Sequence, residues 1–251
     1  MRMHSRTPSF DLIEVIAVVA FVAVVAFHAG DTSVTPDEGA WLSKKYGPDK
    51  HSYNVEEWVA RDFFQDRRDG VFVDIGSGDA RRGSNTYYLE SALNWSGVAV
   101  DALSEYATSY REHRPRTRFF AHFVAERSGT QVTLHVSPTR TESSSYVKEF
   151  AAFFATSPLT ERVVTTVTLD DLLARAGVTR FDYLSMDIEM AEPRALAGFD
   201  IERFRPSLVC VEAHPPIREQ LLDYFARHGY VLVGRYLWAD MFNLYFKPRD
   251  G

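Results

Sequence analysis

Between Gly70 and Asp101 the pattern of apolar and polar positions predicts a strand, a turn, a helix and a second strand. Val71 to Val73 is an unbroken apolar run, Asp74-Ile75-Gly76-Ser77-Gly78-Asp79 is a glycine-bearing turn, and after a helical stretch Val98 to Val100 closes on Asp101. Continuous apolar runs mark parallel strands buried on both faces, and ligands of such sheets sit beyond the strands' carboxyl ends. Further on, Thr168 ahead of Leu169-Asp170-Asp171-Leu172-Leu173 predicts a threonine-capped amphipathic helix that stops at Gly177. Phe181 to Met186 predicts a strand ending in Asp187-Ile188-Glu189-Met190-Ala191-Glu192, followed by a helix that stops near Gly198. Leu208 to Val211 predicts a buried strand ending in Glu212-Ala213-His214, and Ile217 to His228 a helix closed by Gly229. Tyr230 to Arg235 and Phe242 to Phe246 then fit a terminal antiparallel pair. The whole reads as an α/β domain on a mostly parallel sheet with a final hairpin.

The glycine spacing narrows the ligand. A dinucleotide turn requires a third glycine three residues after the second, for close helix packing around a pyrophosphate, and here Arg81 stands there. A D-x-G-x-G turn with a flanking acid suits S-adenosylmethionine instead, whose amino acid end is zwitterionic and whose sulfonium is positive. Asp101, at the tip of the second strand, is placed to accept hydrogen bonds from a ribose diol. With this ligand, the order of elements is that of a Rossmann-like class I methyltransferase fold.

Four segments carry a family resemblance. The block VFVDIGSGDARRGSNTYYLESALNWSGVAVD, then VTTVTLDDLLARAG, FDYLSMDIEMAEPRALAG and LVCVEAH, resemble in order the motifs of the FkbM-type methyltransferases, over roughly Gly47 to Phe246. The resemblance implies a S-adenosylmethionine-dependent enzyme. One position departs from the family pattern: Met190 stands where glycine usually follows Asp-x-Glu, which would narrow the acceptor side of the pocket or mark a member that has lost activity.

On this placement the backbone of Gly76, Ser77, Gly78 and Asp79 meets the methionine moiety, with Asp74 shaping the turn. Ser84, Asn85 and Thr86 at the next helix start bind its carboxylate, Asp101 binds the ribose, and Ala102 with Ala125-Glu126 lines the adenine. Methyl transfer to a hydroxyl requires an in-line approach and a base. His214, whose ordinary pKa lies nearest neutrality, is the first candidate base. Asp187 and Glu189, two positions apart and facing the same way if extended, fit two roles, orienting the acceptor or holding a hard divalent cation.

The front of the chain is of a different kind. Leu12 to Gly30 is interrupted only by Glu14 and His28, and as a helix it reaches about 28 Å, just enough to span a bilayer core. Phe27 occupies the position where a cleavable signal wants a small side chain, so an uncleaved single-pass anchor is expected over residues 1–30. Residues 31–69 are expected as a helical linker region, and 70–251 as the methyltransferase domain. The cofactor is made in the cytosol, so the domain is expected to face the cytosol or a mitochondrial matrix. Net charge is −6, with 34 acids against 28 Lys and Arg, which argues against nucleic acid as a partner. A small-molecule or lipid-linked acceptor is expected, and a catalytically silent subunit of a membrane complex is the rival expectation. Cys210, the only cysteine, falls in a predicted buried strand as a small apolar core residue, with no disulfide and no thiolate metal site. The stretch Ser137 to Ser157, polar and then aromatic, is expected as a surface excursion rather than a lid over the acceptor.

Overall fold

A computed structural model describes residues 39–250 of the chain. Two helices, α1 (Ala40–Tyr46) and α2 (Glu56–Phe64), precede β1 (Val71–Ile75), α3 (Tyr87–Leu93), β2 (Ser96–Asp101), α4 (Ala107–His113) and β3 (Thr117–Ala121). The second half runs through α6 (Leu169–Ala176), β7 (Tyr183–Met186), α7 (Glu192–Leu196), α8 (Ile201–Phe204), β8 (Leu208–Glu212), α9 (Pro215–Arg227), β9 (Tyr230–Leu232) and β10 (Asn243–Pro248). Between the halves lie β4 (Phe123–Val124), β5 (Gln131–Val136), α5 (Lys148–Phe154) and β6 (Thr160–Val167), whose strands form a separate small sheet in the order β4-β6-β5.

The main sheet has the order β3-β2-β1-β7-β8-β10-β9. Its first five strands are parallel, and β10 inserts antiparallel between β8 and β9. The chain builds outward from β1 to β3 and then returns to pair β7 with β1, so the strand order reverses beside β1. A crevice at the carboxyl ends is expected at that switch point.

The apolar runs form strands because both faces are buried. Phe72, Tyr183, Leu208 and Cys210 point into one core with Trp58, Val59, Phe64, Leu89 and Trp95, while Val73, Leu184, Val209 and Leu244 point into the other with the α6 and α9 leucines. Cys210 is thus a packed core residue, as its sequence context implies. The local signals also hold at α6: Thr168 Oγ1 accepts from the Asp171 N–H at 3.1 Å, and Gly177 ends the helix at φ +65°. Thr→Ala at such a cap costs about 1 kcal/mol.

Three expectations change. The segment around residues 39–69 does not stand apart from the domain, because α2 buries Trp58, Val59 and Phe64 against the sheet. The strand expected to Arg235 stops at Leu232, and Gly234–Tyr236 turns as a short 3₁₀ helix. The reason is tertiary: the Tyr236 hydroxyl donates to Asp62 on α2 at 2.7 Å and draws the segment away from the sheet edge. Finally, residues 137–157 are not a surface excursion. Val147 and Phe150 enter the main core, and Ser145 Oγ donates to the Glu189 carbonyl at 2.6 Å. Among the described residues no helix is long and apolar enough to cross a membrane, and the apolar run 12–30 lies outside them.

Candidate active site

The glycine turn after β1 is fixed by close backbone approach. Gly76 has φ +75°, and a Cβ there would fall 1.7 Å from the Asp187 carbonyl oxygen, so no other residue fits between the ends of β1 and β7. The N–H groups of Gly76 and Ser77 both donate to the Val100 carbonyl, at 2.8 and 3.1 Å. Gly78 has φ +53° and open space where its Cβ would stand. Its N–H donates to Asp101 Oδ2 at 3.0 Å, while Leu103 N–H donates to Oδ1 at 2.8 Å. These bonds tie the turn to the tip of β2 and leave each carboxylate oxygen one lone pair for a ligand. Burial raises the Asp101 carboxyl to about 6, against the two backbone donors that favour its charge.

Beneath the turn lies a buried polar scaffold. Arg114, fully buried, donates to Glu90 at 2.6 Å, to the Ala80 carbonyl at 3.0 Å, to Ser84 Oγ at 3.2 Å and to Thr86 Oγ1 at 3.0 Å. Thr86 in turn donates to Asp74 Oδ2 at 2.8 Å. Ser84 and Thr86 therefore hold the turn from below, and the residue of that trio that reaches the cleft is Asn85, whose Nδ2 donates to Ser185 at 3.0 Å.

The turn opens into a cleft of about 810 Å³. Asp74, Gly76, Ser77, Gly78, Asp79, Asn85, Asp101 and Ala102 line one end, and Asp187, Glu189, Glu212 and His214 the other. Thr86 and Glu126 do not line it. Thr86 belongs to the Arg114 scaffold, and Glu126 is held by a two-pronged ion pair to Arg194 at 2.9 and 3.1 Å. Ala125 is fully buried. The cleft fits S-adenosylmethionine at its glycine end. Ser77 Oγ is buried there without a partner, Gly78 leaves its backbone clear, and Asp101 retains free lone pairs. Eight carboxyl groups line the whole cleft against two arginines and His214, a lining that suits a sulfonium and an ammonium better than an anion.

At the far end, β7 does not continue extended through Glu189. Glu189 has φ +54° and Met190 φ +82°, so the chain turns left-handed directly after Asp187-Ile188. This turn swings Glu189 toward His214, with Oε2 3.5 Å from Nε2, while Glu212 Oε1 lies 3.0 Å from the same nitrogen. It also explains why glycine suits position 190. The Met190 side chain is buried in the main core and does not line the cleft, so it does not narrow the acceptor side.

These groups shift one another strongly. Burial and the Glu212 charge hold Asp187 well above the usual carboxylate range and raise Glu189 to about 7 and Glu192 to about 8. Burial by itself would lower His214, but Glu212, joined by Glu189, outweighs it and raises the imidazole to about 11. Phe150 of α5 packs edge-on against that ring, with centroids 4.8 Å apart.

Several cleft residues carried no sequence signal. Tyr53, Asn54 and Glu56 arrive from the segment before the sheet, and Arg140, Glu142 and Phe154 from residues 137–157. Glu192, fully buried behind the cleft, had one, the acidic spacing Asp187-x-Glu189-x-x-Glu192, in which its Oε1 accepts the Ile188 N–H at 2.8 Å.

The strand order and the glycine cleft at its switch point define a Rossmann-like class I methyltransferase domain. The model of the FkbM methyltransferase domain family matches residues 74–232, and the chain belongs to this S-adenosylmethionine-dependent methyltransferase family. No curated protein matches it in sequence. Among solved structures it is similar to the 1,6-didemethyltoxoflavin-N1-methyltransferase of Burkholderia thailandensis, with 15% identity, 96% of this chain and 91% of that chain covered, and a TM-score of 0.39. It is similar to a TehB-like S-adenosylmethionine-dependent methyltransferase of Corynebacterium glutamicum, with 12% identity, 77% and 80% covered, and a TM-score of 0.41. For an O-methyltransferase of Bacillus cereus the values are 14%, 96%, 91% and 0.37.

Proposed function

We propose that this protein transfers the methyl group of S-adenosylmethionine to a hydroxyl of a small acceptor of lipid-linked, sugar or polyketide type, presented at a membrane. One observation carries the reading: the glycine turn with Asp101 and the Asp187, Glu189, Glu212 and His214 group face each other across one cleft. When bound, the cofactor supplies a methyl group made electrophilic by its positive sulfur. The chain's own residues do the rest. The Gly76–Asp79 backbone and Asp101 hold the nucleoside and amino acid ends, and the acidic walls favour the positive sulfur. The far group orients the acceptor hydroxyl in line and takes its proton. An imidazolium has no lone pair to offer, so with His214 raised to about 11 the proton-accepting capacity passes to its carboxylate neighbours, Glu189 foremost at about 7. Residues 12–30 supply the membrane anchor in this reading, with the domain on the cytosolic or matrix side. Exposed Trp41, Trp238 and Met241 beside the start of the described chain support a membrane-proximal placement.

The test is calorimetric titration of the detergent-solubilised full chain with S-adenosylhomocysteine. Binding is expected, weakened about 10- to 100-fold in Asp101→Ala, and weakening in the wild type as pH drops through about 6, where Asp101 takes up a proton. No binding by the wild type overturns the reading and favours a fold-retaining subunit of a membrane complex. Release from sedimented membranes on deletion of residues 12–30 tests the anchor.

A further inference from the structure

We infer that Glu189, Glu212 and His214 form a divalent cation site at the acceptor end of the cleft, suited to Mn²⁺ or a similar transition ion. The inference rests on where donor atoms point. One ligand atom from each of the three lies within 4.8 Å of the others, the spacing of a coordination shell around one ion. His214 is 5% exposed and its Nε2 is aimed at both carboxylates, yet it makes no aligned hydrogen bond. Glu212 Oε2 is buried without a partner as well. Behind them, Asp187 and Glu192 share a second such grouping with Glu212, and Glu192, with no exposed surface, leaves its Oε2 unpartnered.

Charge leads to the same place. Four carboxylates, those of Asp187, Glu189, Glu192 and Glu212, crowd one imidazole, and among the described residues His214 is the only cationic side chain that pairs with any of them. Buried charges without partners are costly, and a bound cation offsets the cost that protonation otherwise removes. The donor set selects the ion. A cation taking the place of the Nε2 proton, which is released to solvent, meets one neutral imidazole nitrogen and two carboxylates. That set is softer than the all-oxygen sets of Mg²⁺ and Ca²⁺ and lacks the thiolates of structural zinc, so Mn²⁺, Fe²⁺ and Zn²⁺ fit it. All three residues line the cleft, so coordination positions remain open on that side. It follows, on the methyl-transfer reading proposed above, that the acceptor is one whose oxygen ligates a metal. The site itself does not depend on that reading.

The test uses the full chain, freed of metal by chelator and titrated with MnCl₂, with bound ion followed by electron paramagnetic resonance. One tight Mn²⁺ per chain is expected, with nitrogen coupling from the imidazole in the wild-type spectrum. Glu212→Gln and His214→Ala should each weaken binding by more than about tenfold, while Glu105→Gln, at an exposed ion pair, should leave it unchanged. Mn²⁺ binding no tighter than to exposed carboxylates, absence of nitrogen coupling in the wild type, or binding that survives both substitutions overturns the inference. The spectrum requires no variant to fold. S-adenosylhomocysteine titrated in parallel separates the two readings: homocysteine derivative bound without metal defeats the cation site alone, and metal bound without it defeats the methyltransferase reading alone.

Discussion

Met190 shows how a single residue can break a family pattern without entering the site. At φ +82° an L side chain is strained by roughly 1–2 kcal/mol, which glycine would avoid. Yet the thioether is 3% exposed within the main core, and removing a buried Met side chain costs about 2–5 kcal/mol. The packing outweighs the strain, so Met190→Gly should lower stability by roughly 1–3 kcal/mol, the difference of those two effects. Urea unfolding checks the sign, and a more stable variant would show that the core does not use this side chain. S-adenosylhomocysteine affinity should stay as in the wild type, because the side chain faces away from the cleft.

At the scale of elements, the contrast is between a helix end exposed to water and a joint buried under the cofactor turn. Thr168 caps α6 at its surface end, and Thr168→Ala should cost about 1 kcal/mol with cofactor affinity unchanged. Glu90 of α3 is the carboxylate partner of fully buried Arg114, which directly follows the last residue of α4 and holds Thr86 and Ala80 under the turn. Removing one member of a buried pair strands the other charge, so Glu90→Ala should cost about 3–5 kcal/mol and weaken S-adenosylhomocysteine binding as the turn loosens. Paired denaturation and calorimetry check both. Equal losses in the two variants would mean that the Arg114 scaffold contributes no more than an ordinary cap.

Across the whole molecule, the front of the described chain and its last strands are joined over β8 by acids. Asn243 Nδ2 donates to Glu56 of α2 at 3.2 Å and to Asp240 at 3.0 Å. Burial and the Asp240 charge raise Glu56 to about 7 from an ordinary value near 4.5. The folded state thus holds this proton more tightly than the unfolded chain does. The resulting stabilisation is complete below about pH 4.5 and is lost as pH rises through about 7, at most about 3 kcal/mol. Denaturant unfolding between pH 5 and 8.5 should show stability falling with pH, and Glu56→Gln should remove this part of the slope whatever it does to absolute stability. An identical slope in the variant would mean that Glu56 titrates alike in both states.

The sequence by itself determined the order of elements, the glycine turn and the chain positions of the acids and the histidine at the strand ends. These rest on local physics: an apolar run buried on both faces, a cap before a helix, a glycine where the backbone must turn. Asp101 and the strand-end acids were legible for the same reason, since the end of a parallel strand already says which side of the sheet a residue serves. Tertiary structure decided what depends on partners far along the chain. It brought Glu189 and Glu212 to His214 and so raised an imidazole that reads as a base well above its ordinary pKa. It turned Met190 into the core and Thr86 beneath the turn, and tied Glu126 to Arg194. It also folded residues 137–157 against the cleft, and α2 onto the sheet. A pKa, a burial and a pairing are properties of neighbours, and neighbours separated by dozens of residues leave no periodicity to read.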